Sequence, residues 1–211
     1  MELYIRSERD QMKKIISKIL IVILLISSCI GTINVAPVTV NAATKTNWPK
    51  GPSIYGQTGV LIEASTGTVL YDKKCNKKMY PASITKIMTA LLTIENCKMD
   101  EMVTFSDATI HSIQYGDANM GCSVGEKMTV KDCLYALMLQ SANEVATALG
   151  EHIAGSTKNF AEMMNKRAKE AGALNTHFAN ANGLHDPNHY VTAYDMAMIT
   201  RAASKYSVFN D

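Results

Sequence analysis

Hydrophobic positions change period along this chain. Residues 15–26 form an apolar run, preceded by Lys13 and Lys14 and interrupted only by Ser17 and Lys18. Gly59-Val60-Leu61-Ile62-Glu63-Ala64 and Thr68-Val69-Leu70-Tyr71 are short runs rich in branched residues, separated by Ser65-Thr66-Gly67. That pattern predicts two strands joined by a glycine-bearing turn. From Ser83 onward the spacing becomes helical. Ile84, Ile87, Met88 and Leu91 share one face, and residues 129–139 repeat the pattern with Val130, Cys133, Leu134, Leu137 and Met138. Val145, Ala148, Leu149 and Ile153 predict a helix closing near Gly155. Phe160, Met163, Met164 and Ala168 predict another, capped at Gly172. Residues 193–203 also read as helix, and residues 175–190, with Gly183 and Pro187, as a polar loop. A hairpin followed mostly by helices makes this an α/β chain of the α+β kind.

The first apolar run is a targeting segment. Basic residues, an apolar stretch and the small-residue site Val40-Asn41-Ala42 before Ala43 follow the order of a secretory signal peptide. Met12 offers a second start after the charged prelude 2–11. Acylation of Cys29 after Ile26-Ser27-Ser28, or an uncleaved anchor continuing to Val40, are the other readings. All three place the mature chain outside the cytoplasmic membrane, secreted or attached to the envelope, with membrane contact only through this segment. The organisation is thus 1–43 leader, 44–57 polar connector with Pro49, Gly51 and Pro52, and 58–211 folded domain. A net charge of +2 argues against nucleic-acid partners. Cys75, Cys97, Cys122 and Cys133 show neither a CxxC pair nor zinc-ligand spacing, and are expected as small core residues.

Two short motifs carry chemistry. In Ser83-Ile84-Thr85-Lys86, residues three apart on a helix lie within reach of each other. A serine hydroxyl is a poor nucleophile until a base takes its proton. Lysine becomes that base, an uncharged amine, when burial and a helix N-terminus lower its pKa. Free N–H groups of the first turn would face a developing oxyanion. Ser141-Ala142-Asn143 occupies a connector between two predicted helices. Its hydroxyl can relay a proton and its amide can hold the lysine and a substrate amide. Each motif alone also fits a serine N-cap. Together they match two parts of the three-part set Ser-x-x-Lys, Ser-x-Asn, Lys-Thr-Gly of penicillin-recognising serine enzymes.

From about residue 59 to 204 the chain resembles the serine-type D-alanyl-D-alanine carboxypeptidases, the low-molecular-mass penicillin-binding proteins. The residues that carry the resemblance are Thr66-Gly67-Thr68-Val69-Leu70-Tyr71, the segment 80–90 around Ser83, and Leu139-Gln140-Ser141-Ala142-Asn143-Glu144, where Asp is usual in place of Glu144. Thr176-His177-Phe178, Asn182-Gly183-Leu184-His185 and Tyr190-Val191-Thr192-Ala193-Tyr194-Asp195 add to it. The resemblance implies a β-lactamase/transpeptidase-like fold and an acyl-enzyme formed by Ser83 with the D-Ala-D-Ala end of a peptidoglycan stem peptide. Lys86 would be the general base, Ser141 the proton relay, and Asn143 the group that orients Lys86 and substrate. β-Lactams would acylate Ser83 instead, and no cofactor or metal is implied. The family's third motif is missing: the one Lys-Thr pair, Lys45-Thr46, is followed by Asn47 and lies upstream of Ser83. The expectation is an incomplete, C-terminally truncated form of the fold with later sheet strands absent, exposed apolar helix faces, poor substrate binding and poor folding.

A β-lactamase is one alternative. Its class A form needs a glutamate with asparagine four residues on, but Glu151, Glu162 and Glu170 have Gly155, Lys166 and Leu174 there. A non-catalytic peptidoglycan- or β-lactam-binding protein is the other. His185 and His189 also suggest a metal pair, although Pro187 between them disfavours a shared helical face.

Overall fold

The computed structural model of this chain describes residues 51–210. The leader, its cleavage and acylation sites, and the first half of the connector lie outside the described residues. β1 (Gly59–Ile62) and β2 (Val69–Lys73) pair antiparallel, Gly59 opposite Lys73, with a bulge between Leu61 and Ile62. The predicted hairpin is therefore present. Its turn is folded by Glu63, whose carboxylate accepts from the hydroxyl and amide of both Thr66 and Ser65. Those bonds, with the Thr66 hydroxyl first, lower the Glu63 pKa to about 2.

Seven α-helices follow among the described residues: α1 (Lys86–Asn96), α2 (Asp107–His111), α3 (Val130–Leu139), α4 (Asn143–Ala154), α5 (Thr157–Glu170), α6 (Ala193–Ala203) and α7 (Ser207–Asn210). Their ends are written in side chains. Ser106, Thr129, Ser156 and Thr192 each accept a hydrogen bond from the backbone N–H three residues on, at the starts of α2, α3, α5 and α6. Gly155 ends α4 in the left-handed region at φ 72°, donating to the Glu151 carbonyl. Gly172, at φ 88°, lies just past α5 as the spacing predicts.

Helix α1 is the centre of the fold. Met88, Ala90, Leu91 and Leu92 are buried together with Thr85, Thr89 and Thr93. The helix touches α3, α4, α5 and α6 around its circumference. Leu137, Val145, Leu149, Phe160, Met164, Phe178 and Ile199 fill the space between them. Helix α6 ties the hairpin to this core: it packs on β1, and Arg201 donates to the carbonyls of Ala64 and Ser65 across the turn.

One element departs from expectation. β3 (Met102–Thr104) and β4 (Lys127–Thr129) form a second antiparallel pair, Val103 opposite Met128. Three-residue strands carry too little alternation to be read from sequence. Apolar faces are open, as expected. Leu61, Val69 and Leu70 are exposed on the hairpin. Ala90, Ile94, Leu134, Tyr135, Met138 and Leu139 line a groove of about 620 Å³ beside α7. Leu139 is 77% exposed, a large apolar area left in water.

Candidate active site

The nucleophile segment is not a simple helix start. Residues Ala82–Thr85 form a 3₁₀ turn, and the α-helix begins at Lys86 rather than at Ser83. Ala82 holds φ 49°, a region that L residues with a Cβ rarely adopt. Ser83 is exposed at this bend, whereas Thr85 and Lys86 are buried behind it.

Lys86 is only 2% exposed, and its amine is gripped from three sides. Nζ stands 3.3 Å from Ser83 Oγ, donates to Asn143 Oδ1 at 2.7 Å and donates to the Asn182 carbonyl at 2.8 Å. Burial lowers its pKa to about 8, against the opposing pull of the Glu144 and Asp117 carboxylates. Burial thus shifts the amine in the direction that a general base requires.

The second motif forms the next wall. Ser141 sits in the connector between α3 and α4 at φ 54°, and Asn143 opens α4. Ser141 is not the N-cap: that position is Ala142, with no side-chain cap. The Ser141 hydroxyl is buried without a hydrogen-bond partner among the described residues. A buried hydroxyl left free normally has a task or a missing partner. Asn143 N–H donates to the Ala118 carbonyl, and Glu144 Oε1 accepts from the N–H groups of Met120 and Gly121. These bonds pin loop 117–121 over the start of α4. Glu144 fills this buried position with its second oxygen, Oε2, unpartnered.

The third wall comes from the polar loop whose Asn182-Gly183-Leu184-His185 adds to the family resemblance, with no site role expected of it. Asn182 supplies the carbonyl that receives Lys86, and the preceding Ala181 carbonyl accepts from Thr89 Oγ1 at 2.6 Å. Gly183 holds φ 89°, and a Cβ there would lie 2.0 Å from the Ala82 carbonyl oxygen. Loop and nucleophile turn meet backbone to backbone, which only glycine permits. The Asn-Gly pair before Leu184 was the available signal, since a glycine at such a turn marks close approach.

His189 supports the same turn. It is 1% exposed, its Nε2 lies 3.0 Å from Thr85 Oγ1, and its Nδ1 accepts from Ala179 N–H at 3.4 Å. Nε2 therefore carries the proton and donates to Thr85. Burial lowers its pKa to about 4. His185 stacks edge-on against Tyr80 instead, at 4.7 Å, so the suggested histidine metal pair has its two rings on different partners. Because His189 stays neutral in the fold while an unfolded histidine protonates near 6.5, its contribution is complete above pH 6.5. It is lost as pH falls toward 4. The expected loss is about 3 kcal/mol. Thermal melts from pH 7 to 4 should show a shallower decline for His189→Gln than for the unaltered protein; parallel curves would refute the assignment.

Of the glutamates considered for water activation, Glu151 accepts from the hydroxyls of Ser106 and Thr109 at the start of α2.

Residues 42–210 match the D-alanyl-D-alanine carboxypeptidase family. The chain is 42% identical over 155 residues to D-alanyl-D-alanine carboxypeptidase DacF of Bacillus subtilis, covering 71% of this chain and 39% of that one. It is 33% identical over 161 residues to D-alanyl-D-alanine carboxypeptidase DacC of Escherichia coli, covering 72% and 40%. Penicillin binding protein 6B from Escherichia coli superposes with a TM-score of 0.70 at 29% identity, over 75% of this chain and 53% of that one. The D-alanyl-D-alanine carboxypeptidase from Mycobacterium tuberculosis superposes with 0.68 at 30% identity, over 79% and 61%. The chain spans about two fifths of the length of these curated relatives, and its α+β architecture is the corresponding part of the penicillin-binding protein fold. By sequence and by fold, this chain belongs to the D-alanyl-D-alanine carboxypeptidase family.

Proposed function

We propose that residues 58–211 hold the acylation half of a serine D-alanyl-D-alanine carboxypeptidase site. The observation that carries this reading is the Lys86 amine, buried and fixed between Ser83 Oγ, Asn143 Oδ1 and the Asn182 carbonyl. In this mechanism neutral Lys86 takes the Ser83 proton as Oγ attacks the penultimate D-alanine carbonyl of a peptidoglycan stem peptide. The tetrahedral intermediate collapses to an ester on Ser83. The leaving D-alanine amine receives a proton through the free Ser141 hydroxyl. Water then hydrolyses the ester. Asn143 holds Lys86 and the substrate amide, and β-lactams open on Ser83 by the same first step. The leader 1–43 delivers this domain outside the cytoplasmic membrane.

These 211 residues carry two parts of the three-part motif set, Ser83-x-x-Lys86 and Ser141-x-Asn143. A second reading is a protein that binds peptidoglycan or β-lactams without turnover. Intact-mass measurement after long incubation with excess penicillin separates the two. We expect one adduct, mapped to Ser83 and absent in Ser83→Ala. An adduct elsewhere, or none at any concentration, would overturn the catalytic reading. Fast nitrocefin turnover would favour a β-lactamase.

A further inference from the structure

Three metal-ligating side chains converge far from Ser83. Cys97 Sγ, Glu101 and His152 place one donor atom each within 4.8 Å of one another. They come from two places in the fold. Cys97 is the residue at which α1 ends, its backbone extended at φ −124° and ψ 153°. Glu101 follows after one tight turn, and His152 lies in the last turn of α4.

The arrangement is held in place before any ligand arrives. Glu101 Oε1 accepts from Lys98 N–H at 3.0 Å, which leaves Oε2 directed to His152 Nε2 at 3.3 Å. The turn itself is clamped to α3: Val130 N–H donates to the Glu101 carbonyl and Lys131 N–H to the Met99 carbonyl. A surface Glu–His pair by itself is commonplace. The half-buried thiol beside it changes the donor set to one sulfur, one nitrogen and one oxygen. Tetrahedral zinc with bonds of roughly 2.0–2.3 Å sets its ligands about 3.3–3.8 Å apart. The Glu101–His152 separation already has that value, and small side-chain rotations bring in Cys97.

We propose that Cys97, Glu101 and His152 form a binding site for a divalent cation of the zinc class. Thiolate plus imidazole selects zinc or cobalt over magnesium or calcium, which prefer all-oxygen sites. Binding replaces the Cys97 S–H bond with an S–metal bond and releases that proton to solvent. With three protein donors and partial exposure, the fourth position is left to water. The consequence is mechanical. Helix α1 has eleven residues, so Cys97 lies about 16 Å from Lys86 along it. A bound cation braces the far ends of α1 and α4, whose near ends carry Lys86 and Asn143. Cys97 and Glu101 share one turn, but His152 lies 51 positions beyond Glu101, so no local motif announces the set.

The test is a cobalt titration of the full purified chain, with zinc competition. Cobalt should produce a thiolate-to-metal charge-transfer band that zinc abolishes. The band should vanish in Cys97→Ser and persist in a Cys29→Ser/Cys122→Ser double variant. His152→Ala and Glu101→Gln should each weaken cobalt affinity by about tenfold or more, since loss of even an outer-shell partner has that effect. Zinc should also raise the melting temperature of the unaltered chain but not of Cys97→Ser. A band that survives Cys97→Ser, or no band in a chain whose circular dichroism is folded, would overturn the site and leave a surface ion pair beside a thiol.

Discussion

Replacing Lys86 with alanine should slow acylation of Ser83 by about 10²–10⁴-fold, the usual worth of a positioned general base. The geometry argues for the upper part of that range. Among the described residues, Lys86 is the titratable side chain recorded within hydrogen-bond reach of the exposed Ser83 hydroxyl. Asn143 Oδ1 and the Asn182 carbonyl both accept from the amine, and neither accepts a proton outright. The effect should carry a pH signature. With its pKa lowered to about 8 by burial, Lys86 is protonated and inactive at low pH. The acylation rate of the unaltered chain should rise about tenfold per pH unit up to roughly pH 8 and then level. In Lys86→Ala that rise should disappear along with the rate. Rates of mass-detected penicillin adduct formation between pH 6 and 10 check both points. A Lys86→Ala rate within a few-fold of the parent would assign the proton transfer to another group.

How much of this was legible follows a physical divide. Helices α1, α3, α4 and α5 show 3.6-residue apolar spacing in the sequence, clearest where a helix buries one face, as α3 and α5 do, whereas α1 and α4 are buried on nearly all sides. Their ends at Gly155 and Gly172 were visible because a left-handed residue nearly requires glycine. Ser83, Lys86, Ser141 and Asn143 stand out as candidates because two short motifs keep their internal spacing. Structure then shows Lys86 joined to Asn143 by a hydrogen bond across 57 positions of sequence. What stayed hidden acts through backbone or through long-range contact. Asn182 uses its carbonyl, an atom every residue has. Glu144 was noted only as an unusual residue, not as the clamp on Met120 and Gly121. His189, its ring turned to Thr85, read as a candidate ligand. The pair β3–β4 has too few residues to show a period.

Strain gathers where these pieces meet. Among the described residues, three non-glycine positions have positive φ, and two of them, Ala82 and Ser141, flank the site. Such conformations persist only where surrounding contacts over-determine them. Here the contacts are the Asn143 bond to Ala118, the Lys86 bonds, and the seat that loop 181–183 gives to the Ala82 carbonyl. The strained turn presents Ser83 outward while its neighbours are buried.

That seat yields the second large effect. Gly183→Ala should lower stability by roughly 3 kcal/mol, combining left-handed strain with overpacking, and slow Ser83 acylation by about 10²-fold. At φ 89° an alanine is strained by itself, and its Cβ would stand 2.0 Å from the Ala82 carbonyl oxygen and 2.5 Å from its carbon. Neither neighbour is a flexible side-chain tip, so one backbone must retreat by about 1 Å, the misplacement that typically forfeits two orders of magnitude in rate. Moving the loop also pulls the Asn182 carbonyl from Lys86, and moving the turn carries Ser83 away from it. Gly155→Ala is the matched control. It has a similar φ, 72°, with no atom within 4 Å of its Cβ, so it should show only the left-handed strain, about 1–2 kcal/mol, with acylation unchanged. Denaturant melts and adduct rates on both variants decide it. If Gly183→Ala acylates as fast as Gly155→Ala, the close approach of loop and turn has no part in placing the nucleophile.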